Sequence, residues 1–236
     1  MQDLSLFDVV VLAGGLGKRL RPTTGDAPKV LAEVDGTPFL DILLKNLYAQ
    51  GFRRVILCTG YKADEIEAHY QKNSLGLEII FSKEETPLGT GGAIKNARDK
   101  VQSPIFFALN GDCFCSVSFS DFFKFYQAQG AKASLVLSKL ENKNDFGSVV
   151  VDSSNQIVSF EEKSSSSASP YASVGIYCFD REVFDWMPEA QAFSIETEFF
   201  PKLVGKNFFG FITENKFLDI GTPERYKTAQ EKLKNK

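Results

Sequence analysis

Short apolar runs and amphipathic stretches take turns through the first half of the chain. Phe7 to Leu12, Arg54 to Thr59, Leu77 to Phe81 and Ile105 to Leu109 are short, β-branched or aromatic runs, which read as strands buried on both faces of a parallel sheet. Between them, Pro38 to Gln50 sets Phe39, Leu40, Ile42, Leu43, Leu44 and Leu47 on a helical period that Gly51 stops. Lys62 to Lys72 predicts a polar helix with Ile66 and Tyr70 inward, and Ala93 to Val101 a further helix. Strands alternating with helices imply βαβ crossovers, hence an α/β fold with a doubly wound, mostly parallel, Rossmann-like mixed sheet. After residue 132 the pattern alternates with period two. Ala133 to Leu140, Gly147 to Val151 and Ile157 to Glu161 predict a small antiparallel layer, with Asp152 to Asn155 as a hairpin turn and Ser164 to Ser169 as a flexible connection. Tyr171 to Phe179 predicts another buried strand, interrupted by Gly175, an interior glycine that marks a close approach. Ser194 to Leu203 reads as an N-capped helix, and Pro223 to Leu233 as a closing amphipathic one.

The ends of the predicted parallel strands carry the chemistry. After Leu12 comes Ala13-Gly14-Gly15-Leu16-Gly17, then Lys18, Arg19 and Arg21, and later Pro28-Lys29. Glycines at a strand end let backbone N–H groups approach a phosphate, and three cations beside them suit a nucleoside triphosphate. The plainer alternative is a turn with a solvated basic face. A P-loop needs Ser or Thr after Gly-Lys, where this chain has Arg19; the dinucleotide fingerprint needs glycine at Leu20 and opens a helix that Pro22 disfavours. Glu84 to Gly92 (EETPLGTGG) and Asn110-Gly111-Asp112 also follow strands, so three loaded segments fall on the edge where such sheets bind ligands.

Composition narrows the classes further. The 236 residues suit one domain spanning 1–236, with 43% hydrophobic content and 22 Phe to fill its core. A net charge of −3 gives no basis for nucleic-acid or membrane binding, and no run approaches the ~20 apolar residues of a membrane span. The expected location is cytoplasmic. Cys58, Cys113, Cys115 and Cys178 sit in apolar runs without zinc spacing and read as reduced structural thiols. His69, the one histidine, lies in a polar helix and reads as a surface residue, which leaves nucleophilic Ser-His or Cys-His chemistry without a base.

Gly-Gly-Leu-Gly-Lys-Arg-Leu-Arg-Pro followed by Pro28-Lys29 resembles the L-A-G-G-x-G-T-R-L-x-P and P-K signature of the sugar nucleotidyltransferases, with Lys18 where the family has Thr. The resemblance runs through Phe217-Leu-Asp219-Ile-Gly-Thr-Pro223. It is tightest, in ETPLGTGGAIKNA, LNGD and FLDIGTPERY, to the D-glycero-α-D-manno-heptose 1-phosphate guanylyltransferases, which supply GDP-heptose for bacterial surface glycans. The same loop occurs in mannose-1-phosphate guanylyltransferases. The resemblance implies nucleotide binding by Leu12, Ala13, Gly14, Gly15, Gly17, Glu85, Pro87, Gly89 and Thr90. For the sugar phosphate it implies Asn110, Gly147, Glu162, Lys163, Gly175 and Glu196, with Ser164 and Ser173 departing from the family's Pro and Asn.

The implied reaction is attack of a sugar 1-phosphate oxygen on the α-phosphate of an NTP, pyrophosphate leaving. Positioning and charge neutralisation suffice for it. Arg19 would clamp the β and γ phosphates, Lys29 would face the α-phosphate, and Asp112 and Asp219 would hold Mg²⁺. A carboxylate such as Glu85 suits the N1–H and N2–H₂ edge of guanine, favouring GTP. The partners are then an NTP and a sugar 1-phosphate, with a homo-oligomer possible. A noncatalytic nucleotide-sugar sensor is the alternative, and it would typically lack the lysine or one of the aspartates; a D-x-D glycosyltransferase would need a second acid beside Asp112.

Overall fold

The computed structural model describes residues 2–139, 147–161 and 169–233. The first half contains β1 (Asp8–Leu12), α1 (Arg21–Thr24), the ribbon β2 (Glu33–Val34) and β3 (Thr37–Pro38), α2 (Phe39–Ala49), β4 (Arg54–Thr59), α3 (Ala63–Lys72), β5 (Glu78–Lys83), α4 (Gly89–Asn96) and β6 (Ile105–Asn110). The second contains β7 (Cys113–Cys115), α5 (Phe119–Ala128), β8 (Ala133–Lys139), β9 (Ser148–Val151), β10 (Ile157–Glu161), β11 (Tyr171–Asp180), α6 (Val183–Trp186), α7 (Phe200–Leu203), β12 (Phe208–Thr213), β13 (Phe217–Asp219) and α8 (Pro223–Lys232). Among the described residues no helix is long and apolar enough to cross a membrane.

β1 pairs in parallel with β4 on one side and β6 on the other, and β5 extends the sheet beyond β4. Strand order therefore reverses between β1 and β6, and the glycine loop and Asn110-Gly111-Asp112 leave the sheet on either side of that point. Alternation along β1 serves two layers: Val9 and Val11 pack with α2, α3, α5 and α8, while Val10 packs with α4, α6 and α7. The sheet is wound on both faces, as the run of apolar residues predicts.

Phenylalanines fill the first of these layers. The Phe107 ring lies 5.2 Å from Phe52, 5.5 Å from Phe119 and 6.0 Å from Phe7, all near edge-on. Phe107→Ala should cost about 3–5 kcal/mol, read as a lower midpoint in urea at unchanged slope. A loss under about 1 kcal/mol would mean that the rings collapse into the space.

The antiparallel strands do not stand apart from the parallel ones; they continue the same sheet, which has nine strands among the described residues. β11 runs antiparallel to β6 through its second half, from Ile176 to Asp180, and passes to β9 at Tyr171 and Ala172. β8 follows β11 along the other side, with a register shift between Ser173 and Tyr177. The sheet thus forks at Gly175.

Several local expectations shift. Pro22 does not prevent a helix: α1 forms with Pro22 in its first turn, where the missing N–H has no partner to lose. α4 begins at Gly89 rather than Ala93, inside the expected loop, and gives way to a 3₁₀ turn at Arg98–Lys100. The expected helix after Ser194 is a π-helical turn, Ile195–Phe199, running into α7, although Ser194 does cap it by accepting the Thr197 N–H. His69 is half-buried rather than on the surface. Its Nε2 lies 3.0 Å from Oδ1 of Asp41, a buried carboxylate that also accepts the Tyr70 hydroxyl at 2.8 Å, so the trio joins α3 to α2. Ser169 is buried, its hydroxyl donating to the Val149 carbonyl, and Ser164 to Ala168 lie outside the described residues. The four cysteines are buried free thiols, and burial pushes Cys58 up to about 12 and Cys115 to about 11.

Candidate active site

A cavity of about 550 Å³ opens beyond the carboxyl ends of β1, β4 and β5. Leu12, Gly14, Gly15, Glu85, Pro87, Gly89 and Thr90 line it as expected, and so do Lys29, Asn110 and Asp112. Two members of the expected set do not. Ala13 turns its methyl into the core, contributing a backbone N–H that the Cys58 carbonyl accepts at 2.9 Å. Gly17 backs Lys29 instead: a Cβ there would lie 2.9 Å from Lys29 Cβ.

Sequence reasoning missed Glu84, Tyr61 and Leu16 on the same wall. Glu84, the first residue after β5, is half-buried, whereas Glu85 is exposed. Glu84 Oε1 approaches the backbone of Gly14 and Gly60 so closely that a Cβ on Gly14 would stand 2.7 Å from it, and Oε2 accepts the Leu88 N–H at 3.1 Å. Burial raises the Glu84 carboxyl above its usual value, partly offset by that N–H. Ser82 is buried and Lys83 exposed at the end of β5, and the same alternation carried past the strand turns Glu84 inward and Glu85 outward. Tyr61 lies two residues beyond β4, after Gly60. Arg21 lies 4.5 Å over its ring, and its hydroxyl donates to Asp26 at 2.6 Å, so Arg21 braces the cavity wall.

A second cavity, about 190 Å³, lies at the fork in the sheet. Asn110, Gly147, Gly175 and Glu196 line it, as the resemblance implies, together with Arg19, Asp112, Asp219, Ser173 at the position of the family's Asn and, unforeseen, Tyr177 and Arg225. Glu162 and Lys163 lie outside the described residues. Gly175 makes the fork possible: its φ is +72°, and a Cβ would fall 2.6 Å from Asn110 Nδ2. Asn110 Oδ1 is buried with no hydrogen-bond partner among the described residues, an acceptor that a ligand hydroxyl would satisfy. Asn110 and Asp112 border both cavities, so the two are halves of one site.

The charged groups meet at that joint. β7, which starts directly after Asp112, pairs antiparallel with β13, placing Asp219 opposite Cys113, while the Ile220 N–H reaches the Asp112 carbonyl at 3.1 Å. Over Gly221, the position a Cβ would take is 2.7 Å from Asp219 Oδ1, 3.6 Å from Arg19 Nη2 and 3.8 Å from Lys29 Nζ. Lys29 Nζ donates to Asp112 Oδ2. Burial alone would raise Asp112, but the Lys29 ammonium and the Cys113 thiol hold it below the usual carboxylate value. Asp219 is the opposite: burial, with the Asp112 charge nearby, lifts it despite the Gly221 N–H at 2.8 Å and the Arg225 guanidinium at 3.4 Å. A carboxylate raised in this way gains from a cation. Two hard carboxylates fit an ion that takes its other oxygens from phosphate and water; among the described residues no cluster of three or more His, Cys, Asp or Glu offers an all-protein cage.

Comparison with known proteins identifies the family. The family model described as "Nucleotidyl transferase" matches residues 8–236. The D-glycero-alpha-D-manno-heptose 1-phosphate guanylyltransferase of Aneurinibacillus thermoaerophilus is 35% identical over 230 residues, covering 97% of this chain and 99% of that protein. The mannose-1-phosphate guanylyltransferase of Mycobacterium tuberculosis is 36% identical over 223 residues, 93% of this chain but 62% of that longer relative. Among solved structures, HddC from Yersinia pseudotuberculosis superposes with a TM-score of 0.85 at 35% identity, covering 97% of this chain and all of that one, and it has also been solved with GMP-PN. A glycine loop, two half-cavities and an aspartate pair at a strand-order reversal, with matches of this extent, place the chain in the nucleotidyl transferase family.

Proposed function

We propose that the protein transfers GMP from GTP to a sugar 1-phosphate, D-glycero-α-D-manno-heptose 1-phosphate foremost, with mannose 1-phosphate as the alternative acceptor. The observation that carries this reading is the pair of cavities joined at Asn110 and Asp112, with Lys29 and Arg19 at the joint. The larger cavity has the size for a nucleotide and the smaller one for a sugar phosphate. An oxygen of the sugar 1-phosphate attacks the α-phosphorus, the bond to the bridging oxygen of the β-phosphate breaks, and pyrophosphate departs with that electron pair. Lys29 meets the charge that builds on the α-phosphate, and Arg19 that of the leaving group. Asp112 and Asp219 would hold Mg²⁺, which supplies positive charge to the phosphate oxygens.

Base choice passes from Glu85 to Glu84 in this reading. Discrimination requires a carboxylate that loses solvent, so that a base without two N–H donors leaves it unpaired. Glu84 is the half-buried one. Pairing four NTPs with heptose, mannose and glucose 1-phosphates and measuring pyrophosphate tests the whole reading, with GTP expected to be at least ~100-fold better than the others. A preference for CTP, UTP or dTTP would remove the guanylyl assignment and leave nucleotidyl transfer. Glu84→Gln should erode the preference for GTP by about ten-fold, while Glu85→Gln changes it by no more than about two-fold. The reverse ranking would return the base contact to Glu85.

A further inference from the structure

Thr90 lines the nucleotide half of the site, yet its hydroxyl is turned towards the other half. It donates to Glu196 Oε2 at 2.6 Å and accepts the Ile195 N–H at 3.0 Å, across 106 and 105 residues of chain. Ser194 Oγ donates to the same Oε2 at 2.9 Å. These bonds are part of a broader seam: the Phe193 carbonyl accepts the Gly91 and Gly92 N–H groups at 3.0 and 3.2 Å, and the Phe193 N–H donates to the Leu88 carbonyl at 2.9 Å. The segment seated in this way opens the π-helical turn Ile195–Phe199, whose Glu196 borders the smaller cavity. π-helical turns are rare and occur frequently at functional sites.

We infer that Thr90 is a positioning residue for Glu196, setting the carboxylate that reads a sugar hydroxyl from the loop that closes on the nucleotide; this rests on the transferase reading above. Both hydroxyls donate to Oε2, and among the described residues Oε1 is left open to a ligand hydroxyl; without the Thr90 bond the carboxylate keeps only the Ser194 hydroxyl from its own segment and is less firmly set in register with the sugar. A carboxylate held by two hydroxyls before the ligand arrives binds without a further ordering cost. Loss of a hydrogen bond to a charged group then appears where that group works, on the sugar side, although the altered residue belongs to the nucleotide loop.

The test is a pair of near-isosteric variants read by steady-state kinetics. Thr90→Val removes the hydroxyl and should raise KM for the sugar 1-phosphate about ten-fold or more, with KM for GTP within about two-fold of the unaltered protein. Thr90→Ser keeps the hydroxyl and should restore the sugar KM. Combined with Glu196→Gln, Thr90→Val should add little, because both changes break one unit. An equal or larger rise in KM for GTP would make Thr90 a direct nucleotide contact and overturn the inference, as would an unchanged sugar KM. Calorimetric titration with GTP and, separately, with mannose 1-phosphate keeps the two claims distinct. A protein that binds both ligands without releasing pyrophosphate refutes the transferase reading, and the effect of Thr90→Val on mannose 1-phosphate affinity still decides the role of Thr90.

Discussion

Asp112→Asn should lower turnover by roughly a thousand-fold while leaving the thermal midpoint within a few degrees of the unaltered protein. Asp112 borders both cavities and is the acceptor for Lys29, so removing its charge acts on two features at once. The lysine loses the carboxylate that orients it, and the phosphates lose one of the two oxygen ligands that would hold a divalent cation against them. Asparagine keeps the shape, and the ribbon between β7 and β13 is held through backbone groups, so the fold should survive. Asp219→Asn should act in the same direction with a smaller effect, because Asp219 is braced by Gly221 and Arg225 rather than by the lysine. Pyrophosphate release before and after EDTA, with Mg²⁺ added back, separates the two contributions. Normal turnover in EDTA would leave Asp112 as an anchor for Lys29 and nothing more.

Lys29→Ala should reduce kcat about a hundred-fold or more and raise KM for GTP by less than about ten-fold. The lysine side chain is 12% exposed, so its ammonium acts with little competing water, and it lines the nucleotide cavity beside the group that borders the sugar. Charge in such a place matters most when the α-phosphate carries both the entering and the leaving oxygen, a condition absent from the ground state. Arg19→Ala should instead impair kcat and KM together, since an exposed guanidinium over Gly221 can hold the terminal phosphates from the outset. Equal losses in both parameters for Lys29→Ala would reduce it to a binding residue; unaltered kinetics in both variants would return the cations to a solvated face.

The divergence between Glu84 and Glu85 shows where reading the chain reaches its limit. Both follow β5 in an acidic, turn-rich stretch, and the resemblance to related enzymes does not by itself distinguish inward from outward. The strand's last pleat does so, together with the lack of side chains at Gly14 and Gly60 that lets the carboxylate in. Likewise the fork at Gly175 was visible only as an interior glycine; that Asn110 fills the space follows from the gap along β11 between its pairing with β9 at Ala172 and its pairing with β6 from Ile176.

By itself the sequence determined what depends on neighbours along the chain: the buried parallel strands, the helices between them, and the glycine loop with its cations at a strand end. These follow from hydrophobic period and turn chemistry, which act over a few residues. The tertiary structure decided what depends on pairing between distant segments. It set Asp219 beside Asp112 through a three-residue ribbon, tied Thr90 to Glu196 across 106 residues, placed His69 on Asp41, and joined the antiparallel strands to the parallel sheet. Such contacts form only once loop closure and strand register are fixed, and no local pattern encodes which of many apolar edges will meet.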